Sequence, residues 1–88
     1  MNTIYKYEIH IKETFTLSLP VGANILCFKS NRQTSKMYLY AKVDTEASNE
    51  QRSFALVGTG APIDFNNGVY IGTVKVGFFV WHLFEILY

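Results

Sequence analysis

Apolar and polar side chains alternate along most of this chain. In the N-terminal segment, an apolar set alternates with a polar set. The apolar set is Tyr5, Tyr7, Ile9 and Ile11, and the polar set is Lys6, Glu8, His10 and Lys12. A later segment repeats the pattern, with Met37, Leu39, Ala41 and Val43 against Lys36, Tyr38, Tyr40 and Lys42. A period of two is typical of half-buried β-strands, because successive side chains of a strand point to opposite faces. We expect the apolar set of each segment to face the core.

Turn-forming residues divide the pattern into about seven short strands. The predicted strands are separated by polar, Gly- or Pro-containing stretches at residues 12–14, 20–22, 30–35, 44–51, 58–62 and 64–68. Residues 44–51 lack an apolar pattern, so we expect a loop or one short helical turn there. The spacing predicts an all-β fold, either a compact antiparallel sandwich or a partly open barrel. Residues 1–88 are expected to form a single β domain.

The predicted last strand, residues 78–87, is apolar on both faces. Such a strand is either central and covered on both sides or part of a subunit contact. Both alternatives remain open from the sequence. If the strand is a contact, we expect Phe79, Trp81 and Leu83 to form the interface.

The composition favours self-association and argues against binding to polyanions. Of the 88 residues, 49% are hydrophobic and 17% are charged, which is more apolar surface than one small core easily hides. We therefore expect a homo-oligomer. The formal net charge of +1 gives no overall field that would attract nucleic acid or a membrane. We expect neither direct nucleic-acid binding nor membrane association.

Residues that would support catalysis are few and badly spaced. Cys27 is the one cysteine, and His10 and His82 are the two histidines. We interpret His10 as a solvated edge residue and His82 as a core histidine whose ring nitrogens are satisfied. The Gly58-Thr59-Gly60 stretch lacks the lysine of a phosphate-binding loop, so a turn with a positive φ is the better interpretation. We expect no catalytic residue, metal or cofactor, and a binding protein rather than an enzyme.

Basic and aromatic residues cluster around the predicted loop at residues 30–35. Arg32, Lys36, Tyr38 and Tyr40 are the candidate binding residues, because cations beside exposed tyrosines can meet an acidic protein patch or a nucleotide. The alternative is a solvated loop that protects a sheet edge. Residues 44–50 are acidic, so a basic and an acidic loop flank one predicted strand, as in a head-to-tail subunit contact.

Six segments in the same order resemble a family of small uncharacterised phage and prophage proteins. They are Ile4–Ile9, Leu17–Leu26, Ala41–Asp44, Gly58–Ile63, Tyr70–Val74 and Val80–Glu85. The sequence departs from this resemblance at Ala61, where a polar residue, often histidine, is expected. The resemblance implies a phage gene product in the cytoplasm of a bacterial host. It implies no activity.

Small phage accessory proteins often obstruct host defence, and this sets the functional expectations. The leading hypothesis is an inhibitor that masks a protein surface of a bacterial antiviral defence component, such as a CRISPR-Cas protein. One alternative is an oligomeric sponge that holds an immune-signalling nucleotide with Arg32, Lys36, Tyr38 or Tyr40. The other is a virion or assembly accessory protein. The N-terminus lacks the long apolar stretch of a secretory signal, in agreement with a cytoplasmic location.

Overall fold

Seven antiparallel β-strands form where the period of two predicts them. The computed structural model describes residues 1–87 and contains no helix within that range. The strands are β1 (Asn2–Ile9), β2 (Thr14–Pro20), β3 (Asn24–Asn31), β4 (Lys36–Asp44), β5 (Asn49–Gly58), β6 (Gly68–Val76) and β7 (Phe79–Ile86). The predicted all-β fold is confirmed.

The strands are arranged in two sheets that pack face to face. One sheet has the order β1-β4-β3 and the other has the order β2-β5-β7-β6. Of the two architectures predicted, the chain adopts the sandwich. The edge strands β3 and β6 approach closely on one side, where a Cβ at Gly72 would lie 3.3 Å from Cβ of Phe28. Only a glycine fits this seam without displacing its neighbour.

The core lies between the sheets and is built from alternating positions. Met37, Leu39, Ala41 and Val43 of β4 are all buried, as their spacing predicts. The facing sheet contributes fully buried side chains from three strands, which are Leu19, Phe54 and Leu83. Phe15 stacks on Phe54 with ring centroids 5.6 Å apart. The inward set of β1 is only partly covered, because Tyr5 is exposed.

Strand β7 is central in its sheet, as one of the two alternatives for residues 78–87 requires, and its part in a subunit contact stays a prediction. It pairs with β5 on one side and with β6 on the other. Leu83 is 0% exposed, so its proposed place at an interface is wrong in this fold. Trp81 is half-buried, and its ring lies over Gly58. Phe79 is 66% exposed and is the one predicted interface residue with a largely free surface.

A largely enclosed ion pair joins β5 to β7 at one end of the sandwich. Nε and Nη2 of Arg52 donate to the two carboxylate oxygens of Glu85 at 2.6 and 2.7 Å, and Nη1 donates to the carbonyl oxygen of Ala23 at 2.6 Å. The side chains are 19% and 13% exposed. The hydrogen bonds to Glu85 raise the pKa of Arg52 above its usual value, so the guanidinium stays charged.

Two connections differ from or refine the sequence-based expectation. Strand β5 begins at Asn49, so the loop predicted over residues 44–51 is confined to residues 45–48 and contains no helical turn. The backbone N–H of Glu46 donates to Asp44, which lowers the pKa of that carboxyl. In the turn after β5, Gly60 has a φ of 91°, which confirms the predicted positive φ.

Candidate functional site

The outer face of the three-stranded sheet brings most of the predicted binding residues together. We call it the basic face and define it by the outward side chains Lys6, Glu8, Lys29, Lys36, Tyr38, Tyr40 and Lys42. Because Met37, Leu39, Ala41 and Val43 of β4 point into the core, the residues between them point outward. Lys36, Tyr38 and Tyr40 therefore lie in one row, as the sequence predicts.

Strand register sets the neighbours of the two tyrosines. Tyr38 lies between Glu8 of β1 and Lys29 of β3, and Tyr40 lies between Lys6 and Cys27. Both tyrosines are half-buried by these neighbours. Residues that are directly opposite on neighbouring antiparallel strands have Cβ atoms about 5 Å apart. The tyrosines are thus held as a fixed aromatic strip at the centre of the face.

Positive charge surrounds this strip. The basic face carries four lysines and one glutamate, a net charge of +3. Nζ of Lys6 lies 4.6 Å from the ring centroid of Tyr38, a cation–π arrangement. Nζ of Lys36 lies 4.0 Å from Oε1 of Glu8. This pair is exposed and weak, so it leaves both groups free to meet a partner.

Arg32 lies apart from the other predicted binding residues. It sits in the β3–β4 hairpin loop and lines a groove of about 620 Å³ between that hairpin and the β6–β7 hairpin. Lys29 and Lys75 also line the groove, and no tyrosine among residues 1–87 does. Phe78, at the tip of the β6–β7 hairpin, is 98% exposed. The structure therefore divides the predicted set into a sheet face and a neighbouring cationic groove.

His82 lies in a chain of side-chain hydrogen bonds on the outer face of the four-stranded sheet. Its Nε2 is 2.8 Å from Oγ1 of Thr59, and its Nδ1 is 2.8 Å from Oγ1 of Thr73. Thr73 also bonds the hydroxyl of Tyr70. The ring nitrogens are satisfied as predicted, but the residue is half-buried on an outer face rather than in the core. The sequence indicates none of these partners, because Thr59 and Thr73 lie on other strands or turns.

The remaining chemistry of the described chain is sparse. Within residues 1–87 no group of three or more His, Cys, Asp or Glu side chains could hold a metal ion. His10 is exposed beside Glu8, with 3.7 Å between Nδ1 and Oε2. Cys27 is a half-buried thiol on the basic face. A helix able to cross a membrane is also absent from this part of the chain.

Thr73→Val tests whether the chain of hydrogen bonds around His82 contributes to stability. Valine keeps the shape but removes the hydroxyl that bonds both His82 and Tyr70. We expect a loss of about 1 kcal/mol in the free energy of unfolding, measured by urea denaturation. Thr16→Val is the control, because Thr16 is exposed on β2. Equal stabilities of the two variants would contradict a stabilising role for the chain.

Comparison with known proteins gives a family and no activity. No curated protein and no solved structure matches this chain. The family model described as a domain of unknown function, DUF7352, matches residues 1–87, nearly the whole chain. The chain therefore belongs to the DUF7352 family.

Proposed function

We propose that this protein binds an acidic surface of a partner protein through its basic face. The observation that carries the proposal is the arrangement of four lysines around two fixed tyrosines on the outer face of one sheet. Tyrosine gives large contact area at small entropic cost, and it is enriched at protein interfaces. The lysines would guide an acidic partner into place. Because these side chains are spread over three strands, they suit a protein surface better than a small molecule.

The resemblance to phage proteins supports a narrower form of this proposal. In that form the partner is a component of bacterial antiviral defence, and the protein inhibits it in the host cytoplasm by masking its surface. An inhibitor of this kind needs a surface and no catalytic group. The virion or assembly role stays a prediction that rests on the resemblance alone.

The cationic groove supports a second candidate, the binding of a nucleotide. Its volume of about 620 Å³ is within the range of small-molecule sites. Lys29, Arg32 and Lys75 line it, and cations are suited to phosphates. The tyrosines that were expected to stack on a base lie on the sheet face instead. The proposal that the protein binds a nucleotide therefore rests on the groove alone.

Two variants with equal charge changes separate the candidates. Lys36→Glu with Lys42→Glu alters the basic face, and Arg32→Glu with Lys75→Glu alters the groove. Exposed substitutions of this kind usually change stability by about 0.5 kcal/mol or less. Wild type and both variants would be used to capture proteins and nucleotides from a bacterial lysate, and the affinity for any captured species would be measured at several salt concentrations.

We expect the basic-face variant to lose at least about tenfold in affinity for a captured protein, which is about 1.4 kcal/mol. The groove variant should keep that affinity, and added salt should weaken the binding of the wild type. If only the groove variant loses its ligand and that ligand is a nucleotide, the second candidate replaces the first. A protein partner that binds both folded variants as tightly as the wild type would contradict the proposed surface.

A further inference from the structure

The outer edge of β1 is an unpaired strand edge. Among residues 1–87, β1 pairs with β4 alone, over eight residues from Asn2 to Ile9 and without a shift in register. An edge of this kind exposes a row of backbone donors and acceptors that can pair with another strand. Ile4 and Tyr5 add exposed apolar surface to it.

The other three edges are less suited to accept a strand. Strands β3 and β6 each contain an irregularity, between Ile25 and Cys27 and between Tyr70 and Gly72. These two edges also face each other, and Oγ of Ser30 donates to the carbonyl oxygen of Lys75 across the seam. Strand β2 ends in Pro20 and has no charged side chain that would select a register.

Backbone geometry shows which groups of β1 point outward. The N–H of Thr45 donates to the carbonyl oxygen of Met1 at 2.9 Å, so the Met1 carbonyl points toward β4. The direction of the N–H and C=O groups alternates from one residue to the next along a strand. The N–H and C=O groups of Asn2, Ile4, Lys6 and Glu8 therefore point toward the free edge.

Side-chain charge selects one way to pair two copies. If two β1 strands meet antiparallel about a twofold axis at Tyr7, Lys6 of each copy lies opposite Glu8 of the other. Both residues have outward-pointing backbone groups, so they form hydrogen-bonded pairs with opposite charges across the interface. A register centred on Lys6 or on Glu8 would place like charges opposite each other, and one centred on Tyr5 would pair no opposite charges. The register centred on Tyr7 also brings the exposed Tyr5 ring opposite Ile9 of the other copy.

We propose that two copies of this chain associate through β1, antiparallel about a twofold axis at Tyr7. The two three-stranded sheets then form one continuous six-stranded sheet. This is an isologous contact, in which the same patch of both copies is used and the assembly closes as a dimer. The dimer joins two basic faces into one surface with eight lysines. The proposed dimer does not depend on the proposed function, because it is inferred from the β1 edge.

Charge reversal on β1 tests the dimer and its register. We expect the wild type to have twice the mass of the 10.1 kDa chain in sedimentation at about 100 µM, a concentration that saturates dimers with Kd in the micromolar range. Lys6→Glu places two carboxylates opposite each other, and Glu8→Lys places two ammonium groups opposite each other. Each variant alone should dissociate at least about tenfold more readily. A mixture of the two should dimerise again, because each chain then meets the opposite charge.

Lys42→Glu is the matched control, because Lys42 lies on the same face but not on β1, and it should leave the dimer intact. Amide hydrogen exchange gives a second measurement. In the wild type, the amides of Lys6 and Glu8 should become protected as the concentration rises. A wild type with the mass of one chain would overturn the proposal. A dimer that neither single variant weakens, or a mixture that fails to restore it, would overturn the β1 register.

Discussion

Glu85→Ala is expected to destabilise the protein by about 3 kcal/mol, because removing one partner of a largely enclosed ion pair leaves the other charge uncompensated. Among residues 1–87, Arg52 would keep only the carbonyl oxygen of Ala23 as a hydrogen-bond partner. A domain of 88 residues has a total stability of roughly 4 to 13 kcal/mol. The loss is therefore a large fraction of the total and should be evident in urea denaturation.

Two further variants make this prediction specific to the pair. Glu13→Ala removes an exposed carboxylate between β1 and β2 and should cost about 0.5 kcal/mol or less. The double variant Arg52→Met with Glu85→Leu removes both charges and fills the space with apolar groups. It should recover most of the lost stability, because apolar replacements of such pairs are often neutral or stabilising. A Glu85→Ala variant as stable as Glu13→Ala would refute this account of the ion pair.

Leu83→Ala should cost about 3 kcal/mol, whereas Phe79→Ala should cost about 0.5 kcal/mol or less. Both side chains belong to the inward set of β7, but Leu83 is 0% exposed and Phe79 is 66% exposed. Removing Leu83 leaves a cavity among close-packed neighbours. Removing the Phe79 ring takes away a group that is already mostly in water.

Thermal or urea denaturation of the two variants provides the measurement.

The masses of the folded variants then test the remaining prediction from the sequence, that β7 forms a subunit contact. If that contact exists, Phe79→Ala should weaken the oligomer. If the β1 edge forms the dimer instead, Phe79→Ala should leave the mass unchanged. Equal destabilisation by both substitutions would show that the tip of β7 is enclosed, contrary to the structure.

The alternating strands could be predicted from the sequence because the information is local. In β4 the small and apolar residues at every second position leave one way to bury a face, and Met37 to Val43 are buried as expected. Arg52 and Glu85 could not be paired in advance. They are 33 residues apart, and their contact depends on β7 lying beside β5, which no local pattern specifies.

The residues of the candidate site likewise include some that a local pattern predicts and others that only the pairing of distant strands brings together. Lys36, Tyr38 and Tyr40 are on one face because they alternate within one strand. Lys6 joins them only through the pairing of β1 with β4, which spans the two intervening strands in the chain. Arg32 is close to them in sequence, but the hairpin loop directs it to the groove. Proximity in sequence predicts a shared face within a strand and fails at the turn that ends it.

The central position of β7 bears on how the protein is made. Strands β5 and β6 are successive in the chain but do not pair, and β7, which follows both, lies between them. The three-stranded sheet needs only residues up to Asp44. Its backbone pairing can therefore form before residues 45–86 are available, although its apolar inner face is covered only by the other sheet. The four-stranded sheet has to wait for β7, so its apolar inner face stays open until β7 has inserted between β5 and β6.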